Sequence, residues 1–200
     1  MNTLKAMDSA ESPLQERILD ALERCFRIIG MQKTTLGDVA AEADVSRMTV
    51  YRQFSDKQTL FQAAALRNIH RQWQAVDEKL GTVSSLSEWL LEGLLLFHRM
   101  YINDAKVDLY KQIGGISEGL EVALSDRGLE TMVAFFRPLY ELAKEHNQLA
   151  PGLTPEDIAE WIHRTNHTLL VHPSPRISTE ADLRRWLTPQ ITGGFLRVTN

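Results

Sequence analysis

The sequence predicts an all-α protein, and three observations carry that prediction. Capping residues followed three positions later by a side chain able to return the bond recur along the chain, at Ser12/Gln15, Thr35/Asp38, Ser85/Glu88, Thr154/Asp157 and Thr179/Asp182. Between these starts the apolar residues return at helical spacing. No alternating strand pattern, internal repeat or low-complexity tract interrupts them.

Taken in order, Ser12-Pro13-Leu14-Gln15 opens a helix over 13–29, with Leu14, Ile18, Leu22, Phe26 and Ile29 on one face and Gly30 as its stop. Thr35 opens a short alanine-rich helix, Ser46 a third, and Ser55 with Gln58 a fourth. The apolar positions of that fourth helix, Phe61, Ala65, Ile69, Trp73, Val76 and Leu80, hold one face until Gly81. A helix apolar on nearly all sides follows from Ser85 to about Tyr101, as the centre of a second domain would be. Further helices are expected at about 104–113, at 126–148 with Pro138 as a possible kink, and after Thr154 and Thr179.

With 200 residues, 44% hydrophobic content and a net charge of −4, the chain is long and apolar enough to bury a core. The densest apolar run, Trp89 to Phe97, is short and broken by Glu92 and Gly93, and no secretory signal pattern precedes it. A cytoplasmic protein without membrane association is expected. The single cysteine, Cys25, excludes an internal disulfide and a thiolate-rich metal site. No glycine-rich phosphate loop, nucleophile elbow or carboxylate pair stands in a recognisable setting, so neither an enzyme nor a cofactor is predicted.

Residues 1–57 hold eight Lys/Arg against nine Asp/Glu, so any footprint on phosphate must be local. Such a footprint exists between 35 and 57. Two short helices joined by a tight turn are the geometry that lets the second enter a major groove. Val39, Val45, Val50 and Phe54 would lock the pair inward, and Arg47, Met48, Tyr51 and Arg52 would face out. Arginine can bond guanine edges in pairs, while hydroxyls, tyrosine and lysine suit phosphate. The free N–H groups behind Ser46 and at the start of the fourth helix, with Lys57 beside them, suit phosphate oxygens. The plainer reading of the same segment is a three-helix packing unit with a solvated polar face.

The segment from about Ile18 to Phe61, above all "TTLGDVAAEADVSRMTVYRQFSDKQTLF", resembles the N-terminal domain of the tetracycline-repressor (TetR) family of bacterial transcription regulators. That resemblance implies a helix-turn-helix DNA-binding domain over 1–57, linked by the helix from 56 to about 80 to a helical ligand-binding and dimerisation domain over 58–200. It further implies a homodimer on a near-palindromic operator, a repressor released or retuned by a small molecule. By position, Thr35 and Thr49 match the family's phosphate-contacting hydroxyls, Tyr51 its backbone-contacting aromatic and Lys57 its lysine at the start of the fourth helix. Arg47 and Met48 fall where base-reading residues sit, and Arg52 could reach base or phosphate. Two positions depart from the family. Asp44 stands where glycine is common, though Asp tolerates left-handed backbone, and Met48 replaces an often small residue.

The stripes Ile158, Trp161, Ile162, Thr165, Leu169 and Leu183, Trp186, Leu187, Ile191 suit either core packing or a two-fold four-helix interface, which is the homodimer contact expected here. Trp89, Phe97, Tyr101, Tyr110, Phe135, Phe136 and Tyr140 are candidates to line a pocket for an apolar or aromatic ligand, with His98, Arg99 and Asn103 able to orient a polar group; each is equally a core residue. Glu160, His163 and His167 share one helix face, which raises a metal-responsive sensor as an alternative. Arg164 stands where a zinc-protease signature needs glutamate. A helical protein-interaction module is the other alternative.

Overall fold

The computed structural model describes residues 12–101 and 115–196. The chain is all-α. In order come α1 (Pro13–Ile29), α2 (Leu36–Glu42), α3 (Arg47–Gln53), α4 (Lys57–Leu80), α5 (Leu86–Tyr101), α6 (Gly115–Ala123), α7 (Asp126–Glu145), α8 (Pro155–Val171) and α9 (Glu180–Gln190), followed by a π turn at Ile191–Phe195. Reciprocal capping boxes form at Ser12, Thr35, Thr154 and Thr179. In each, one orphan N–H at the helix start and the cap's own N–H are both satisfied.

Several starts and stops differ from the sequence reading. Asp56, not Ser55, caps α4: its carboxylate accepts from the Thr59 amide at 2.7 Å, a charged acceptor at the positive helix end, while the Ser55 hydroxyl meets Thr59 Oγ1. Helix α7 continues through Pro138 but ends at Glu145 rather than Gln148, because Asn147 turns left-handed (φ 53) and Gln148 N–H bonds back to the Ala143 carbonyl. Helix α6 was not expected, and the expected helix at 104–113 lies outside the described residues. Ile191 belongs to the π turn rather than to α9. That turn brings the chain back, with Ala150 N–H donating to the Phe195 carbonyl at 2.9 Å.

The buried side chains form two clusters. Ile18, Leu19, Leu22, Phe26, Val39, Val50, Phe54, Leu60 and Ala64 make the first, and Trp73, Val76, Trp89, Leu94, Phe136, Ile162 and Leu187 belong to the second. Helix α4 contributes to both. Its buried face runs through Leu60, Ala64, Arg67, Trp73 and Val76, so the expected stripe holds only from Trp73 onward; Phe61, Ala65 and Ile69 are half-buried on the adjacent side. On α1 the expected stripe breaks at its end, where Ile29 is exposed. In the second cluster Trp73 stacks between Trp89 (5.5 Å) and Phe97 (5.2 Å). Two forked ion pairs, Arg184 with Glu92 and Arg99 with Glu180, fasten α9 to α5.

Candidate nucleic-acid interface and an adjoining cavity

Helices α2 and α3 meet through a turn at Ala43–Ser46. Asp44 sits there at φ 50, and Val45 N–H donates to the Ala40 carbonyl at 3.0 Å. Val39, Val50 and Phe54 are buried and Val45 half-buried, which holds α3 against α2. The opposite side is open: Ser46, Arg47, Met48, Tyr51 and Arg52 are exposed, with Met48 68% accessible, and Thr49 is half-buried. Ser46 Oγ accepts from the Thr49 amide at 3.0 Å and lies 2.8 Å from its hydroxyl, so these two oxygens form one polar corner at the start of α3.

The basic residues around this face are already positioned. A Cβ built on Gly37 would lie 3.5 Å from the Arg47 guanidinium carbon, so Arg47 lies over the first turn of α2. There the Thr35 hydroxyl, above all, and then its amide hold the Asp38 carboxyl below the usual carboxylate range, with the Arg47 charge adding to the effect. Lys57 Nζ donates to the carbonyls of Gln32 (3.3 Å) and Met31 (3.5 Å) and lies 5.0 Å above the Phe61 ring. Lys57 thus braces the α1–α2 loop against α4.

Sequence reasoning missed the tie between α1 and α4. Arg67, whose side chain is only 6% exposed, pairs with Glu16 (2.8 Å), Asp20 (2.9 Å) and Glu23 (2.5 Å). Arg71 pairs with Glu16 at 3.1 Å. Burial alone would lower the Arg67 pKa, but the hydrogen bond and charge of Glu23, then Glu16 and Asp20, raise it. The signal was present as an acidic stripe at 16, 20 and 23 opposite two arginines one turn apart.

A half-open cavity of about 1230 Å³ lies along α4. Phe61, Gln62, Ala65, Ile69 and Gln72 supply the α4 wall; Leu120 and Ala123 at the end of α6 and His163, His167 and Leu170 on α8 face it. The residues expected to line a pocket lie elsewhere. Trp89, Phe97, Phe136 and Tyr140 fill the second core, Tyr140 donating to the Leu153 carbonyl at 2.8 Å. Phe135 packs on His70, Tyr101 packs on Phe97, and none of these six lines the cavity. Tyr110 and Asn103 lie outside the described residues. Arg99 is engaged by Glu180, and burial lowers the His98 pKa.

The face shared by Glu160, His163 and His167 does not assemble as a ligand set. Glu160 accepts from Arg164 at 2.7 Å, and among the described residues no group of three His, Cys, Asp or Glu could hold a metal ion. His163 is buried, and desolvation pulls its pKa down to about 4 against a hydrogen bond with the Gly128 backbone. Among the described residues no helix is long and apolar enough to cross a membrane.

Comparison with known proteins follows the same outline. The profile of "Bacterial regulatory proteins, tetR family" matches residues 18–64, the span that holds α1 to the start of α4. The chain is 26% identical over 180 residues to an uncharacterized HTH-type transcriptional regulator of Mycobacterium tuberculosis, covering 88% of this chain and 85% of that one. It is 32% identical over 91 residues to the HTH-type transcriptional regulator AlkX of the same species, covering 45% and 43%. Its fold is similar to that of the repressor AlkX from Dietzia sp., implicated in biodegradation of n-alkanes (TM-score 0.61, 20% identity, 92% and 95% covered). It is also similar to the fatty acid degradation regulator FadR from Bacillus halodurans (TM-score 0.59, 16% identity, 92% and 97% covered).

Proposed function

Because the chain belongs to the tetR family of bacterial regulatory proteins and is a DNA-binding transcriptional regulator, we propose that it is a ligand-responsive repressor that binds a near-palindromic operator as a homodimer. The observation that carries this reading is the open face of α3. Arg47, Met48, Tyr51 and Arg52 are exposed together on a helix held from behind by Val50 and Phe54, beside the Ser46–Thr49 corner. Arg47 and Met48 read base edges, Arg52 reaches base or phosphate, and Thr35, Ser46, Thr49, Tyr51 and Lys57 meet the backbone.

Dimerisation through α8 and α9 places two such helices on half-sites about 34–36 Å apart or a multiple of that. Most of the apolar stripe on these helices is buried within the subunit, so the contact falls to its outer edge, where Trp186 is exposed and Trp161 is half-buried. The inducer is an apolar small molecule in the cavity along α4. The neighbours named for n-alkane and fatty acid degradation support an aliphatic one. The ligand retunes operator affinity by shifting α4; a coupling of about 1–3 kcal/mol corresponds to roughly 5- to 150-fold.

The test is selection of tight-binding duplexes from a random pool at two salt concentrations, with the mass of the complex read by light scattering. A near-palindrome held by a dimer, with steep salt dependence, is the expected result. Failure of the folded protein to enrich any sequence would overturn the reading.

A further inference from the structure

Met48 is 68% accessible on the open face of α3, in the first turn of that helix. The side chains beside it are already engaged. Ser46 Oγ accepts from the Thr49 amide and meets the Thr49 hydroxyl, and the Arg47 guanidinium lies over the first turn of α2. Tyr51 and Arg52, three and four positions on, share the outward side of the helix with Met48 and are exposed with it. The free side chain at the start of α3 is therefore an unbranched thioether, and the first turn of such a helix is the part that meets base edges.

A methionine offers a base edge little but apolar surface, because it has no donor and its sulfur is a weak acceptor. In the major groove, guanine, adenine and cytosine present hydrogen-bonding atoms, and the one apolar feature is the C5-methyl group of a pyrimidine. Thymine carries it always and cytosine when methylated. Laid on guanine, adenine or plain cytosine, the thioether strips water from donors and acceptors and returns no bond. Laid on a methyl, it takes two apolar surfaces out of water together, a gain of about 4-fold in affinity for one methyl-sized group. The unbranched chain adapts to the position of that methyl.

We propose that Met48 selects a pyrimidine in each half-site by its C5-methyl group. This rests on the reading of the α3 face as the operator surface, and it adds the base chemistry that this residue demands. One base pair of the half-site is then recognised by apolar contact rather than by a hydrogen bond. Binding also becomes responsive to a methyl group that base pairing ignores.

The experiment measures binding of the full-length protein, at one salt concentration, to the duplex it selects from the random pool, with each thymine in turn replaced by deoxyuridine, which lacks only the methyl. One thymine per half-site should lose ~4-fold, and its replacement in both half-sites ~16-fold. In Met48→Ala that loss should shrink to within ~1.5-fold while losses at other thymines persist, and Met48→Leu, apolar and of similar volume, should keep it. At the same position 5-methylcytosine, paired with guanine, should bind ~4-fold more tightly than cytosine, and only when Met48 or Leu is present. Because Met48 is exposed, both variants should melt with the unsubstituted protein. Full affinity for every uracil duplex, or a uracil loss that survives unchanged in Met48→Ala, would overturn the assignment and leave the operator reading standing. No gain from 5-methylcytosine would overturn the methyl as the feature read. Failure to enrich any duplex would remove the operator reading along with it.

Discussion

Replacing Arg67 with alanine tests whether α1 and α4 are held as one body by charge. Its side chain is 6% exposed and its guanidinium meets the carboxylates of three side chains that are themselves 42%, 48% and 35% exposed. Breaking a fully buried ion pair costs about 3–5 kcal/mol, and an exposed pair contributes about 0–1 kcal/mol. Here the cation is desolvated but its partners can rehydrate. The cost is thus discounted to about 2–3 kcal/mol, which includes the lost stem packing and the repulsion released among Glu16, Asp20 and Glu23. For a chain of this length that is a fall of roughly 4–12 °C in Tm. Thermal unfolding followed by circular dichroism reads it, and Arg67→Met, which keeps the stem and removes the charge, divides packing from electrostatics. A Tm within about 1 °C of the unsubstituted protein for Arg67→Ala would refute the assignment of this arginine as the tie.

Arg47→Ala should cost about 1–3 kcal/mol on the selected operator and relax preference at a single base pair of each half-site, measured by binding to single-substitution duplexes; equal losses on all sequences would remove it from base reading. Lys57→Ala should weaken binding to every duplex and reduce the salt slope by about one unit per site, and should also lower Tm slightly, because the Met31 and Gln32 carbonyls lose their donor. Asp44→Gly should stabilise by about 0.5–1 kcal/mol in urea titration, since glycine adopts the observed φ of 50 without the side-chain penalty. The carboxyls of Asp38, Asp157 and Asp182 are held low chiefly by the hydroxyls of Thr35, Thr154 and Thr179, and that of Asp56 chiefly by the Thr59 amide. Their folded pKa values lie below the unfolded ones, so the stability they add is present above about pH 4 and lost as pH falls below it. Asp157→Asn should make the decline of Tm between about pH 4 and pH 2 shallower.

What the chain reveals by itself is what neighbours in sequence decide. The boxes at Ser12, Thr35, Thr154 and Thr179 span three residues, and each appears where its spacing places it. Asp44 adopts the left-handed turn that its residue type allows. Where two adjacent residues compete, local spacing misleads: Ser55 and Asp56 both precede α4, and the charged acceptor takes the amide. In the sequence no Ser, Thr, Asp or Asn stands just before Gly115 to announce helix α6, which carries Gly119 within it. The Arg67 tie and the cavity were not legible for a different reason. Glu16 and Glu23 stand 51 and 44 residues from Arg67, so their meeting depends on how α1 crosses α4. The aromatic residues mark the core instead, because Trp73, Trp89, Phe97 and Phe136 pack on one another. The space opened instead where α4 shows small and amide side chains, at Ala65, Gln62 and Gln72.

The division of α4 into faces explains how one helix can serve both proposed activities. Leu60, Ala64 and Arg67 are committed to α1, and through α1 to the pair that presents Arg47 and Tyr51; Trp73 and Val76 are committed to the second core. Phe61, Ala65 and Ile69 lie on the adjacent side and border the cavity. Under the proposed function, a ligand there would press on the same turns whose other side grips α1. No relay of side chains would then be required, because a shift of α4 by about 1–2 Å would carry α1 with it. The tightness of the Arg67 cluster would decide whether that motion arrives whole: three carboxylates on one guanidinium resist slippage between the helices, so in the proposed mechanism displacement of α4 would become displacement of α3 rather than a local adjustment. A ligand alters operator affinity only to the extent that it binds one position of α4 better than the other. Under the proposed function that difference would be made at the cavity wall, between the Phe61–Ile69 turns of α4 and the facing α8, whose Ile158, Ile162 and Leu169 belong to the second core.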